Sequence, residues 1–169
     1  TLNIENKLML YMSSIENVDA VYNRRTNQQN DYFTSHELDK IFSKVWRGLQ
    51  KKNKELFPVE QIIRDSAIFK ASPFHKLTEE QIRTKDFITL RIMQALTKEE
   101  TGQLILVTGE AGSGKTVLMS SLFYELNQLS KDDPENLIFK DTKNFLLVNH
   151  EQQLKVYQQI ATKLGIYSK

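Results

Sequence analysis

The spacing of apolar side chains predicts a series of helices in the first part of the chain. Residues 2–12 carry apolar side chains at helical spacing. A second helix follows Ser35, which we expect to be its N-cap, and its apolar stripe includes Phe42 and Trp46. Large apolar side chains on such a stripe are expected to pack in a core. Pro58 is expected to begin a short helix that ends near Ile63.

A longer helix is predicted from Thr78 to about Lys98. Thr78 is a suitable N-cap, and Gln81 lies three residues later, which is the spacing of a capping box. Thr101 and Gly102 are expected to terminate this helix.

Beyond Gly102 the pattern changes to an alternation of strands and helices. Residues 103–107 and 145–148 are short apolar runs of strand length, and each is followed by a helical pattern, over 116–129 and 151–164. This order predicts an α/β fold with a parallel sheet of strand–helix repeats, preceded by a mainly helical N-terminal region. We expect two domains, residues 1–70 and 71–169.

Composition excludes several classes of protein. Among 169 residues, 23 are Lys or Arg and 21 are Asp or Glu, so the net charge of +2 gives no argument for nucleic-acid binding. The absence of cysteine excludes disulfides and thiolate metal sites. No apolar run has membrane-spanning length, and no signal peptide opens the chain, so a cytoplasmic location is expected. The first residue is Thr1, and we expect the chain to be a fragment of a longer protein.

One motif carries chemistry. The run Gly109-Glu110-Ala111-Gly112-Ser113-Gly114-Lys115-Thr116 fits the P-loop pattern G-x-x-x-x-G-K-[ST]. Its three glycines are expected to provide positive φ angles and close approach, so that the amides of 111–117 surround a phosphate at a helix N-terminus. Lys115 would contact the β- and γ-phosphates as the catalytic cation, and the Thr116 hydroxyl would hold Mg²⁺. ATP and Mg²⁺ are therefore the expected ligands of a partial P-loop NTPase.

The hydrolytic half of such an enzyme is not evident. Hydrolysis needs a carboxylate after a later strand to hold the metal. The only apolar-then-acid run after the loop ends at Asp141, and we expect Asp141 to be a surface residue. The sequence thus shows the phosphate-binding loop without the hydrolytic half, which is a second reason to expect a fragment.

These segments together resemble the opening of superfamily 1 helicases. The resemblance rests on residues 77–81, the apolar run and P-loop of 104–116, and Phe145-Leu-Leu-Val-Asn149. It implies that Gln81 is the glutamine that reads the adenine edge, and that residues 146–150 contact single-stranded nucleic acid. Gln81 lies 28 residues before Gly109, which is longer than usual for that family. The alternatives are a capping role alone for Gln81, and ordinary polar roles for Asn149 and His150.

A second resemblance concerns the N-terminal third. The runs Ile4-Glu5-Asn-Lys-Leu8-Met9 and Val21-Tyr22-Asn23 are similar to the last part of GIY-YIG nuclease domains, as found in bacterial proteins that join such a nuclease to a helicase-like ATPase. The resemblance implies that Glu5 is a metal ligand and that Asn23 is a supporting residue. An amphipathic helix often carries a glutamate on its solvated face, which is the alternative for Glu5. We expect no nuclease activity, because one carboxylate cannot stabilise the transition state alone.

The leading hypothesis is an ATP-dependent nucleic-acid helicase or remodelling ATPase, with single-stranded nucleic acid as the partner. The alternative is a nucleotide-dependent switch or regulatory interaction module without translocation, and a small-molecule kinase is a third, disfavoured possibility. The basic run Lys51–Lys54 is interpreted as a solvated helix end, and phosphate contact by it and by Arg24 and Arg25 is the alternative. The oligomeric state is not predicted, and no membrane partner is expected.

Overall fold

The computed structural model describes residues 2–22, 35–131 and 137–166, and every regular element in these ranges is a helix. In the same ranges, none of the helices combines the length and apolar character needed to cross a membrane. The α-helices are α1 (Leu2–Met12), α2 (Leu38–Lys52), α3 (Glu60–Asp65), α4 (Ala67–Ala71), α5 (Glu79–Thr97), α6 (Lys115–Lys131) and α7 (Glu151–Lys163).

The chain divides into two compact units. The first unit consists of Thr1–His75 together with Val148–Lys169, and the second consists of Lys76–Leu147. The predicted division into domains at residue 70 stays a prediction.

Aromatic side chains form the core of the first unit. Tyr11 of α1 and Phe42 and Trp46 of α2 are fully buried. The Tyr11 ring lies 4.7 Å from the Phe42 ring and 5.0 Å from the Trp46 ring, measured between centroids. The indole N–H of Trp46 donates to the Pro58 carbonyl at 2.9 Å, which satisfies a buried donor. The prediction that Phe42 and Trp46 pack in a core is confirmed.

The predicted starts of two helices are wrong by a few residues. Ser35 is not an N-cap, because a 3-10 turn over Ser35–Glu37 precedes α2 and places Glu37 at the cap position without a side-chain cap bond. Helix α3 begins at Glu60, after Val59, rather than at Pro58. Tight turns before a helix displace its first hydrogen bond, and the residue pattern alone does not reveal them.

Lys163 fixes the segment that follows α1 onto α7 within the first unit. The Lys163 side chain is 8% exposed, and its ammonium donates to the Ile15 carbonyl. The Lys163 carbonyl accepts a hydrogen bond from the Val21 amide at 2.8 Å. Burial lowers the pKa of Lys163, and the nearby charges of Glu16 and Asp19 oppose this shift.

Helices α5 and α6 form the framework of the second unit. Ile88 of α5 and Leu118 and Leu122 of α6 are buried, and the helical pattern predicted over 116–129 is confirmed by α6. An ion pair between Lys85 and Glu125 joins the two helices. Helix α5 begins with the predicted capping box. The backbone N–H of Gln81 donates to Thr78 Oγ1 at 3.2 Å, and the backbone N–H of Thr78 donates to Gln81 Oε1 at 3.0 Å.

The predicted α/β fold with a parallel sheet is wrong for the described part of the chain. Residues 103–107 and 145–148 form no strand there, and no backbone hydrogen bond involves them. Leu104 and Leu106 are 87% and 79% exposed, and Phe145 and Leu147 are 78% and 89% exposed. A parallel sheet covers both faces of its strands and pairs them with neighbours. Residues 103–106 are all exposed, and in the second run only Leu146 and Val148 are half-buried. The two apolar runs therefore have neither the cover nor the strand partners of a parallel sheet.

Candidate nucleotide-phosphate site

The predicted P-loop is a turn of residues 109–114 that leads directly into α6. Gly112 and Gly114 have φ angles of +82° and +79°, which is the left-handed region expected for them. Gly109 has no positive φ, so this part of the prediction is wrong. Its role is close approach, because a Cβ there would lie 2.9 Å from Ser113 Oγ. The loop therefore needs glycine for two different physical reasons.

The Lys115 ammonium lies against the backbone of the same loop. It donates to the Gly109 carbonyl and to the Glu110 carbonyl, each at 2.7 Å. An ammonium is attracted more strongly by ionised oxygens than by neutral carbonyl dipoles, because two opposite full charges interact by Coulomb attraction. The geometry thus holds a cation at the loop in contacts that phosphate oxygens can replace.

Gln81 connects the start of α5 to the loop. Its Oε1 atom accepts the Thr78 amide hydrogen, and its Nε2 atom donates to the Ser113 carbonyl at 3.0 Å. The side-chain amide also lies against Gly114, where a Cβ would come within 2.4 Å of Nε2. A residue larger than glycine at position 114 would displace the glutamine.

The start of α6 supplies donors for an anion. The first intrahelical bond runs from the Leu118 amide to the Gly114 carbonyl at 3.0 Å, so the amides of 115–117 precede the helical ladder. Unpaired amides and the helix dipole favour negative charge at this end. Thr116 is exposed at the same end of the helix.

The predicted residues of this site come together in the second unit. Lys115, Gln81, the three glycines and the loop residues between them all belong to it, in one continuous set of contacts. The predicted site consists of Gly109, Glu110, Ala111, Gly112, Ser113, Gly114, Lys115, Thr116, Val117 and Gln81. Asp141 is exposed in the same unit and has a positive φ of 63°.

Other predicted residues lie elsewhere. Glu5 is half-buried on α1 in the first unit, and Asn23 lies outside the described residues. Asn149 and His150 are exposed in the first unit, and His150 precedes α7 without a side-chain cap bond. Among the described residues, no three His, Asp or Glu side chains cluster as metal ligands would.

Sequence reasoning missed the contact between Gln81 and the Ser113 carbonyl, and the ion pair between Lys85 and Glu125. Both join positions that are 32 or more residues apart. The two partners of the ion pair are ordinary surface-type residues at positions that helical periodicity does not single out. The local sequence pattern at Gln81 is the capping box. It explains the hydrogen bond accepted by Oε1 but not the one that Nε2 donates to the Ser113 carbonyl.

Comparison with known proteins places a helicase-like region in this part of the chain. Residues 102–169 match a family model described as Schlafen group 3, DNA/RNA helicase domain. A segment of 88 residues is 33% identical to uncharacterized protein YPL245W of Saccharomyces cerevisiae, and it covers 52% of this chain. It spans 19% of the length of that yeast protein. No solved structure matches the chain.

The residues of the site fit a triphosphate with Mg²⁺. A Cβ at Gly112 would meet no atom within 4 Å, so the space beside the loop is open at that position. Lys115 provides a cation, the helix start provides amides, and Thr116 provides a neutral oxygen ligand. Mg²⁺ in such sites takes few protein ligands and is completed by phosphate oxygens and water, which agrees with one hydroxyl here.

Proposed function

We propose that this chain binds ATP with Mg²⁺ through residues 109–117 and belongs to an ATP-dependent nucleic-acid helicase or remodelling ATPase. The observation that carries the proposal is the convergence of Lys115 and Gln81 on one glycine-rich loop at the start of α6. Neither contact is needed to form a helix, and together they organise the loop whose amides would bind phosphate.

In the proposed complex, the Lys115 ammonium leaves the carbonyls of Gly109 and Glu110 and donates to the β- and γ-phosphate oxygens. The amides of 111–117 donate to the remaining phosphate oxygens, and the Ser113 amide leaves the Glu110 carbonyl, to which it donates at 3.2 Å in the free chain. The Thr116 hydroxyl would hold Mg²⁺, which neutralises charge on the phosphates. Gln81 keeps the Ser113–Gly114 peptide in position from the side of α5.

The nucleic-acid part of the proposal is supported by the match of residues 102–169 to a DNA/RNA helicase domain and by the resemblance of the same segments to superfamily 1 helicases. Single-stranded nucleic acid is the proposed partner. The GIY-YIG resemblance, the metal role of Glu5 and the bacterial type of protein stay predictions, and the proposed function does not depend on them.

The first test is calorimetry of Mg-ATP binding to the wild-type chain and to Lys115→Ala. We expect the substitution to weaken binding at least about tenfold, because it removes a charged donor to phosphate, an interaction of about 1.5–3 kcal/mol. Phosphate release measured in parallel reports turnover. Absence of ATP binding by a folded wild-type chain would contradict the proposal.

A matched glycine pair tests the loop without removing a charge. Gly114→Ala and Gly102→Ala both place a side chain at a positive φ, and a Cβ at Gly102 would meet nothing within 4 Å. We expect both variants to lose about 1–2 kcal/mol of stability from backbone strain. Only Gly114→Ala should also weaken ATP binding, because its Cβ displaces Gln81. Equal ATP affinities for the two variants would show that the contact with Gln81 does not shape the site.

A further inference from the structure

Helix α2 carries a stripe of four cations on the side opposite to its core face. Lys40, Lys44, Arg47 and Lys51 are all exposed. At 100° and 1.5 Å per residue, they lie within an arc of about 60° and extend over about 16 Å of the helix. Phe42 and Trp46 project from the other side of the helix into the core. We name these four residues the α2 basic stripe.

The side chains of the α2 basic stripe have no ion-pair or hydrogen-bond partner among the residues that the structure describes. Three exposed cations of other helices are paired with a glutamate four residues earlier: Arg64 with Glu60, Arg83 with Glu79, and Lys155 with Glu151. The one acidic residue of α2, Asp39, is paired with Lys7 of α1. The charge of the stripe is therefore left for a ligand outside these contacts.

This arrangement disfavours the helix. Lys40 and Lys44, Lys44 and Arg47, and Arg47 and Lys51 are like-charge pairs at the spacings where side chains meet. Lys40 lies near the N-terminus of α2, where the helix dipole disfavours a cation, so the dipole explains only the basic residues of the last turn. If these side chains served only to keep the surface soluble, glutamates at some of these positions would stabilise the helix by forming opposite-charge pairs.

Gly48 gives a second, independent indication of a ligand. It lies in the interior of α2, next to Lys44 and Lys51 on the helix surface, and a Cβ there would meet nothing within 4 Å. Glycine weakens the interior of a helix, and neither packing nor a positive φ requires it here. Its effect is to leave the backbone accessible between two cations of the stripe.

We propose that the α2 basic stripe binds the phosphodiester backbone of single-stranded nucleic acid, with Gly48 allowing the strand close to the helix. A linear row of unpaired cations matches a linear polyanion, and such rows follow the backbone in proteins that bind single strands without sequence preference. The inference rests on the proposed function only for the choice of nucleic acid as the polyanion. It assigns this contact to the first unit, which the P-loop does not belong to.

The test is fluorescence anisotropy with a labelled single-stranded oligothymidine of about 16 nucleotides, without nucleotide, over a series of salt concentrations. The triple variant Lys44→Gln/Arg47→Gln/Lys51→Gln is compared with Lys52→Gln/Lys70→Gln/Lys140→Gln, which removes the same charge from exposed positions outside the stripe. We expect about tenfold weaker binding at low salt for the first variant, and a decrease of about 2 in the slope of log K against log salt. The control should bind nearly as well as wild type.

Gly48→Gln separates binding from stability. It should raise the melting temperature, because glutamine favours the helix more than glycine does, and it should weaken strand binding several-fold by filling the space between Lys44 and Lys51. Equal losses in the two triple variants, or displacement of the strand by polyglutamate at equal charge concentration, would overturn the proposal. So would a wild-type chain that binds no strand. Lys115→Ala should keep strand binding, so failure of the ATP site and failure of the stripe are distinguishable.

Discussion

At the scale of single residues, Gln81 has two tasks that one substitution can separate. Its Oε1 atom completes the capping box of α5, and its Nε2 atom donates to the Ser113 carbonyl of the loop. A glutamate at position 81 keeps the first task, because carboxylate oxygens accept the Thr78 amide hydrogen well. It loses the second, because it would place an acceptor against the carbonyl oxygen.

We therefore expect Gln81→Glu to change the free energy of unfolding by less than about 0.5 kcal/mol, and Gln81→Ala to lower it by about 1 kcal/mol through loss of the capping box. Both should weaken ATP binding about tenfold, the cost of a hydrogen bond that orients the loop. Calorimetry with inorganic tripolyphosphate decides the role of Gln81. A loss for ATP alone would indicate that it reads adenine, and an equal loss for both ligands would indicate that it positions the loop.

Lys163 gives a prediction about pH. Burial lowers its pKa from the ordinary 10.5, so the native state releases this proton at lower pH than the unfolded chain does. In the window between the lowered pKa and 10.5, the unfolded state binds more protons, and stability rises with pH. Below that window the cost of burying the ammonium is present in full.

The measurement is urea unfolding of the wild type and Lys163→Met at several pH values from about 7 to about 10. We expect the stability of the wild type relative to the variant to increase as pH rises. Lys155→Met provides the control, because Lys155 is an exposed lysine on the same helix. A relative stability that is constant with pH would show that Lys163 is not held in a desolvated site.

At the scale of elements, the packing of α2 depends on Trp46. Trp46→Phe would leave the Pro58 carbonyl without its indole donor and a gap beside Tyr11. We expect a loss of about 1–3 kcal/mol in the free energy of unfolding. Val45→Ala, at a neighbouring exposed position, should change it by less than about 0.5 kcal/mol. Chemical unfolding followed by circular dichroism gives both values, and similar losses for the two variants would show that Trp46 is not the core anchor.

The helices could be predicted from the sequence because their signals are local. The stripe with Phe42 and Trp46 and the capping box of Thr78 and Gln81 each lie within a few residues, and the structure has both. The exact start of α2 could not be predicted in this way, since Ser35 begins a 3-10 turn instead of capping the helix. The α2 basic stripe could not be predicted from the sequence, because the sequence does not show that Asp39, the acidic residue of α2, pairs with Lys7 of another helix.

The strands could not be predicted reliably, because a strand depends on partners that a local run does not specify. Residues 103–107 and 145–148 have the apolar content of buried strands, but their outward side chains remain exposed and their backbones form no ladder among the described residues. The loop was recognised by its motif, although Gly109 acts by close approach rather than by positive φ. The convergence of Gln81 on that loop required the structure, because helix geometry says nothing about a contact 32 residues away.

At the scale of the whole molecule, the exposed apolar side chains of 104–106 and 145–147 distinguish the second unit. Ile105 and Val107 of the first run, and Phe145 and Leu146 of the second, line with α5 and α6 a cavity of about 310 Å³. The outward residues Leu104 and Leu147 are among the most exposed apolar side chains of the described chain. Apolar side chains exposed in this way promote association between molecules.

We expect Leu104→Lys/Leu147→Lys to reduce self-association without loss of the helical fold, because neither side chain is packed in the chain and the added charge opposes apolar contact. Light scattering over a range of concentrations measures association, and circular dichroism monitors the helices. Val59→Lys/Ile62→Lys is the control, since it adds the same charge at exposed apolar positions of the first unit. Equal reductions in both variants would attribute the effect to net charge, whereas a reduction confined to the first variant would locate the associating surface at residues 104–106 and 145–147.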